Sequence, residues 1–373
     1  MVVGIEKRLL RDFDWLTAFL AVVIVSFGVW QIYNAQPNQS YWSKQIIGLA
    51  IALVAMAVVA VTDYRRLIDA APVIYGFGLL LLVLVLIPGL GVKINGQTAW
   101  LKIPFLARFQ PSEFVKIPVV LMLARYFGNR RMGTLRFKEL LVGIGILILP
   151  LGLIMLEPDA GQAITYFPLL AVVLFLSAVK IRYVVLTLAA ALIFVPVSYI
   201  VGTQTGLIKS YQRQRIEVIL DPENADPRGY GYHTFQSIIT VGKGQVTGIK
   251  GDRRNSQSQL KFLPEPQTDF IFAVAAENTG FVGCISLLLA YVLLLSRLIV
   301  GARQSPDRAG MLVIMAIVGG MTFQIFLNVG MVLGFLPVIG VPLPMMSAGL
   351  SAVLSTFIAI GFVISVKMRR FVN

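Results

Sequence analysis

Residues 262–296 read FLPEPQTDFIFAVAAENTGFVGCISLLLAYVLLLS. The latter part is an apolar run of membrane-spanning character, since about 20 such residues cross the hydrocarbon core. Yet Asp269 stands where the run begins and Glu277 lies two turns inside it. Carboxylates are costly in an apolar helix, so an ionisable residue at membrane depth is a functional candidate by default. Pro264 and Pro266 stop the preceding chain, Thr268 is placed to cap the helix, and Asp269 is expected in its first turn. Asp269, Ala273, Ala276, Glu277 and Gly280 then share one side, with Phe270, Ile271, Phe272 and Val274 on the rest. Such a small-and-acidic stripe reads as the wall of a polar cavity. Helix capping by Asp269 is the simpler alternative, and it leaves the stripe unexplained. Glu277 should lie about 12 Å deeper than Asp269, at about 1.5 Å per residue. There it is expected to pair with a buried donor and shape the cavity.

The whole chain has the same character. Of its 373 residues, 57% are hydrophobic and 13% charged, against about 45–50% and about 25% in soluble domains. The expected fold is all-α: a single polytopic domain, residues 1–373, of about ten transmembrane helices. The spans fall near 14–33, 43–62, 69–88, 112–128, 139–157, 163–179, 182–201, 268–299, 310–334 and 345–367. One set of loops is basic: Arg65 and Arg66; Arg130, Arg131, Arg136 and Lys138; Lys180 and Arg182; Arg303 and Arg308. The N-terminus and the closing KMRR fall on that side, which the positive-inside rule assigns to the cytoplasm. Both termini inside requires an even number of spans. The net charge of +14 is then topology, and nucleic acid is not an expected partner. The single cysteine, Cys284, excludes an intramolecular disulfide. The single histidine, His233, excludes a zinc site of several His and Cys ligands. The run after Lys7, Arg8 and Arg11 is too long for a signal h-region.

The other loops face outward, and one of them, residues 202–267, is far longer than the usual connection. It is polar and basic, with turn signals such as DPENADPRGYGY that favour an ordered, functional loop. Within it VGKGQVTGIKG carries Lys243 and Lys250 but lacks the ending of a P-loop. It is expected to be flexible, with phosphate contact left open. Elsewhere on this side, QPSEFVKI places Ser112 as a helix cap, then Glu113 and Lys116. Those two form either an i,i+3 ion pair or an ammonium held to receive an anion, and spacing leaves both open. In LEPDAGQA, Asp159 follows the helix breaker Pro158 and reads most simply as a solvated turn aspartate. These candidates converge on the outer face together with Trp100 and Asp269. A carboxylate, a lysine and a basic loop facing outward suit an anionic substrate presented at the membrane surface.

The segments NGQTAWL, FQPSEFVKI, EPDAGQA, YQRQRIEVILDPENADPRGYGYHTFQS, SQSQLKFLPEPQTDFIFAVAAENTGFVG and NVGMVLGFLPVIGVPLP resemble those of the SEDS family of bacterial cell-wall polymerases. The resemblance spans nearly the whole chain, and SQSQLKFLPE and LPVIGVPLP are nearer the RodA branch than the FtsW branch. It implies a peptidoglycan glycosyltransferase that polymerises lipid II into β-1,4 glycan outside the cytoplasmic membrane during elongation, releasing undecaprenyl pyrophosphate. By motif it implies a catalytic Asp269. Lys116, Asp159, Trp100 and Glu113 fall to substrate binding, with Lys44 a weaker match. Loop cations Arg213, Arg215 and Lys243 are expected to join them at the pyrophosphate. A divalent cation, Mg2+ or Mn2+, on Asp159 or Asp269 is left open, and no organic cofactor is expected. The implied partners are a class B penicillin-binding protein with transpeptidase activity and other membrane proteins of the elongation complex. NGQTAWL lacks the family's arginine before the tryptophan, and MMSAGLSAV replaces an MSYGGSS-like run. A lipid II flippase is the rival reading. Such transporters often carry paired repeats and broken helices near the midplane, and the sequence shows no such pairing.

Overall fold

The computed structural model describes residues 11–94, 96–102, 108–130, 137–177, 231–249, 256–260 and 262–370. The expected span at 182–201, most of the long loop, and Arg213 and Arg215 lie outside the described residues. The other expected spans coincide with helices. In chain order these are α1 (Trp15–Ala35), α2 (Tyr41–Val61), α3 (Tyr64–Asp69), α4 (Ala71–Leu86), α5 (Pro111–Gly128) and α6 (Phe137–Leu156). After them come α7 (Ala160–Ile164), α8 (Phe167–Leu176), α9 (Tyr232–Lys243), α10 (Ile271–Arg303), α11 (Arg308–Val332) and α12 (Leu350–Met368). Among the described residues, α1, α2, α6, α10, α11 and α12 are long and apolar enough to cross a membrane. The helix α5 carries Glu113, Lys116 and Arg125 along its length, and α4 and α8 are shorter.

Ion pairs gather the ends of several described helices into one basic set. At the basic end Asp14 caps α1 and receives Lys367 Nζ at 2.5 Å and an Arg297 amine at 3.0 Å. That buried carboxylate ties α1 to the last turn of α12 and to α10. Arg65 pairs with Asp307 at 3.3 Å, and Arg369 reaches the carbonyls that end α2. The opposite end holds the candidate site. One element there was not expected: a hairpin of β1 (Gly91–Ile94) and β2 (Gln97–Leu101) between α4 and α5. Gly96, at φ 86°, supplies its turn, as the NG pair requires.

The stretch at 262–296 departs most from its expected form. The helix starts at Ile271 with Phe270 at the cap position and no side-chain cap. Asp269 therefore lies in the turn before the helix, and the Thr268 hydroxyl donates backwards to Glu265 O. Residues 270–276 are buried on all sides, so the first segment has no lipid-facing side to oppose its stripe. The helix is then broken at Gly280, φ 65° and ψ −165°. A break frees backbone groups that must find other partners, and residues 244–249 supply them. Phe281 N donates to Gln245 O at 2.9 Å, Val282 N to Val246 O at 3.1 Å, and Ile249 N to Glu277 O at 3.0 Å. A side chain at Gly244 would collide with Ala276 O, and one at Gly280 with Gly248 N. The VGKGQVTGIKG stretch is thus a backbone lock in its described part, not a flexible loop. Its glycines permit that close approach.

Gly280→Ala is expected to lower the melting temperature of the purified protein by several degrees, from about 1–3 kcal/mol of backbone strain plus the collision. Gly145→Ala, where a methyl would meet nothing within 4 Å, should leave it unchanged or raise it slightly, through about 0.5–1 kcal/mol of added helix stability. Equal melting of the two variants would dismiss the lock.

Candidate active site

Two carboxylate groups occupy the site end, one on each side of the 335–344 loop. The first is built on α5 and α7. Glu113 and Lys116 form an ion pair at 3.0 Å, with side chains only 4% and 14% exposed. Gln162 Nε2 donates to the other Glu113 oxygen at 2.6 Å, and Gln162 N caps onto Asp159 Oδ1 at 3.0 Å. Gln110 Nε2 donates to Asp159 Oδ2 at 3.0 Å. Gln162 is therefore the joint between the ion pair and Asp159. Asp159 is buried, so it is not the solvated turn residue that its position after Pro158 suggested. Ser112 does not cap α5, which begins one residue earlier at Pro111. Its carbonyl accepts from the Tyr166 hydroxyl.

Beside Asp159 lies Glu157, fully buried, with neither carboxyl oxygen hydrogen-bonded among the described residues. Burial pushes its carboxyl up to about 8, and the nearby Asp159 adds to the shift. Burial also raises Asp159 to about 6. The Gln162 N–H opposes that rise, Glu113 reinforces it, and Lys116 opposes it. Sequence reading missed Glu157, although it directly precedes Pro158 in EPDAGQA. An apolar stretch ending in two carboxylates two residues apart was the available signal.

The second group centres on Asp269. Its side chain is half-buried, and a Cβ added at Gly340 would sit 3.4 Å from Asp269 Oδ2. The same Gly340 backbone faces α7: a Cβ added at Gly161 would collide with Ile339 O and lie 3.2 Å from Gly340 O. The Ile339–Gly340 backbone therefore approaches both the start of α7 and the Asp269 carboxylate. A second bridge runs through the start of α12 and the turn before it. Gln110 N donates to Ser351 Oγ at 2.8 Å, while Ser347 Oγ donates to Thr268 O at 2.6 Å. Glu277 is buried and accepts from Gln257 N at 2.6 Å, Ser258 N at 3.3 Å and Ser258 Oγ at 3.0 Å. It pins the end of the long loop onto α10.

The remaining candidates are placed at the same end without joining these networks. Trp100 is half-buried on β2, opposite Val92. Lys243 is exposed at the end of α9, beside the lock. Lys44 is exposed on α2, and its neighbour Gln45 donates to Ser347 O at 3.0 Å. Among the described residues, no group of three or more Asp, Glu, His or Cys is arranged to hold a metal ion. Both Asp159 oxygens already accept protein hydrogen bonds.

Comparison with known proteins gives the family. The family model described as cell cycle protein, covering FtsW, RodA and SpoVE, matches residues 8–371. The peptidoglycan glycosyltransferase MrdB of Escherichia coli K12 is 37% identical over 360 residues, 96% of this chain and 94% of that one. Stage V sporulation protein E of Bacillus subtilis is 32% identical over 356 residues, 94% and 93% of the two chains. A solved chain from a peptidoglycan synthase complex, described as coordinating polymerization and crosslinking, superposes with TM-score 0.81 at 32% identity, covering 97% and 99%. RodA of Thermus thermophilus superposes with TM-score 0.71 at 27% identity, covering 97% and 98%. The chain belongs to the SEDS family of FtsW, RodA and SpoVE proteins, as a multi-pass membrane peptidoglycan glycosyltransferase.

The raised carboxyls carry a pH dependence. Glu157 and Asp159 bind protons more tightly folded than unfolded. Their contribution to stability is complete below about pH 4 and is lost as pH rises through about 6 for Asp159 and about 8 for Glu157. Thermal melting in detergent is therefore expected to fall between pH 5 and pH 9. Glu157→Gln, neutral at every pH, should remove the upper part of that fall. A parent profile that rises with pH over this range would refute the assignment.

Proposed function

We propose that this glycosyltransferase polymerises lipid II at the outer face of the cytoplasmic membrane during cell elongation, with Asp269 as general base. Asp269 takes the proton of the acceptor sugar's 4-hydroxyl as that oxygen bonds to the donor's anomeric carbon. The bond from that carbon to the pyrophosphate breaks, and undecaprenyl pyrophosphate leaves with the electron pair. Direct displacement inverts the α-linked donor to a β-1,4 linkage. The observation that carries this reading is the placement of Asp269: half-buried, beside Gly340, at the mouth of a buried helix start. Lys116, oriented by Glu113, and Arg213, Arg215 and Lys243 of the long loop would balance the pyrophosphate charge as it develops. Asp159 and Trp100 would contact substrate on the α7 and hairpin sides. Lys44 is a further candidate on α2.

Orientation follows from the basic end. Arg65, Arg303 and Lys367 at one end support a cytoplasmic position for it and for both termini by the positive-inside rule, and an outward position for the carboxylate end. A ten-span plan, with the long loop between spans seven and eight, agrees with the order of the described helices. The likeness to a chain from a synthase complex supports a class B penicillin-binding protein as partner. Other membrane proteins of the elongation complex belong to the same expectation. The break at Gly280 is a feature that transporters also show. It lies toward the site end, in the helix that follows Asp269, which favours the enzyme over a flippase.

Asp269→Asn is expected to abolish glycan-strand formation from lipid II, by about 10²-fold or more for loss of a general base, while expression and melting persist. Polymerisation at the parent rate by the purified variant would sink the assignment.

A further inference from the structure

Three consecutive carbonyl oxygens ahead of α10 are each taken by a donor from another part of the chain. Ala348 N donates to Gln267 O at 2.8 Å, Ser347 Oγ to Thr268 O at 2.6 Å, and Asn328 Nδ2 to Asp269 O at 2.9 Å. Asn328 Nδ2 also donates to Val341 O at 2.8 Å, one residue beyond the glycine that faces the Asp269 carboxylate. Ser347 accepts from Leu343 N at 2.8 Å. Gln45 braces the same run by donating to Ser347 O and accepting from Gly349 N, each at 3.0 Å. Asn328, Ser347 and Gln45 are all buried.

Residues 267–269 precede the helix, so no i→i−4 ladder fixes their backbone. External donors therefore fix these carbonyls alongside the local turn bonds from Thr268 to Glu265 O. Asn328 spends its amide on two loop carbonyls, while its own Oδ1 has no partner among the described residues. A buried acceptor left unpaired costs about 1–3 kcal/mol, which argues against a purely packing role at this position. Its product is geometric: the turn bearing Asp269 and the strand of loop bearing Gly340 are held at one spacing. The MMSAGLSAV run, which departs from the family's usual residues, supplies the other tethers.

We propose that Asn328 and Ser347 are positioning residues for the glycosyl transfer, holding the Asp269 turn so that its carboxylate stays against Gly340. This rests on Asp269 being the base. A displacement of about 1 Å at a reacting group can cost about 10²-fold in rate, so loosening the clamp should act on turnover and leave substrate affinity in place.

The test is steady-state lipid II polymerisation, with thermal melting measured on the same preparations. Asn328→Leu, close in volume but without donors, should lower kcat by about 10–100-fold with KM for lipid II within about 2-fold. Ser347→Ala should lower kcat by about 10-fold, and Ser347→Thr, which keeps the hydroxyl, should recover most of it. If Asn328→Leu does not fold, the Ser347 pair decides. Folded variants with the parent's kcat would overturn the inference, as would a loss expressed wholly in KM. Asp269→Asn in the same assay separates the two levels. An inactive Asp269→Asn beside fully active clamp variants removes the clamp alone, whereas an active Asp269→Asn removes the base and the clamp with it.

Discussion

A helix that breaks near the edge of a membrane must return its freed backbone groups to other partners, because lipid offers none. In this chain the break at Gly280 and the glycine-rich turn that fills it meet that demand together. Two amides just past the break and one carbonyl before it are satisfied by residues 245, 246 and 249. The close approach requires glycine on both sides. From that joint the rest of the site end follows. The second segment of α10 continues toward Arg297 and Arg303 at the basic end, while the first is released as a buried stub. The stub carries Glu277, which anchors the end of the long loop, and is preceded by the turn that carries Asp269.

The same rule explains how so many carboxylates survive at this end. Isolated charges in a low-dielectric setting are expensive, and they persist where hydrogen bonds and counter-charges surround them. Glu113 has Lys116 and Gln162, Asp159 has Gln162 and Gln110, and Glu277 has the 257–258 backbone. Glu157 lacks such partners among the described residues and is instead pushed toward its neutral form. Ser347, just before α12, and Ser351, in its first turn, tie the Asp269 turn and the Gln110–Asp159 side to one stretch of chain. The Ile339–Gly340 backbone supplies a second link between the same two halves. A reaction that brings two large lipid-linked sugars together gains from such shared supports, since orientation is a large part of what an enzyme supplies.

Much of this was legible in the sequence, for physical reasons. Apolar length marks spans, and the alternation of basic loops marks ends, because both reflect the bilayer directly. The resemblance to SEDS proteins, carried by segments such as EPDAGQA and TDFIFA, matched the family found by comparison. What failed was local geometry. Thr268 looked like a cap and Asp269 like a first-turn residue, yet the turn is held from outside by Ser347 and Asn328, whose partners are about 60–80 residues distant, a kind of tie that local propensity does not encode. Asp159 looked solvated because a proline and an aspartate usually mark a surface turn; here the 335–344 loop and Gln110 cover it. The glycines of VGKGQVTGIKG read as flexibility because composition cannot distinguish a loose glycine from one selected for contact. Asn328, Gln162 and Gly340 lie in segments that carried the family resemblance, yet nothing in their local sequence showed which distant groups they would hold.

The central claim is that the Asp269 turn opens to the outer face of the membrane, where a lipid-linked sugar donor and acceptor can both reach it. The chain has a single cysteine, Cys284, which is buried, so an introduced cysteine can be read against a quiet background. A membrane-impermeant maleimide added to intact spheroplasts is predicted to label Asp269→Cys and spare Arg303→Cys, with the order reversed in inside-out vesicles. Labelling of Asp269→Cys only from the cytoplasmic side would contradict the account.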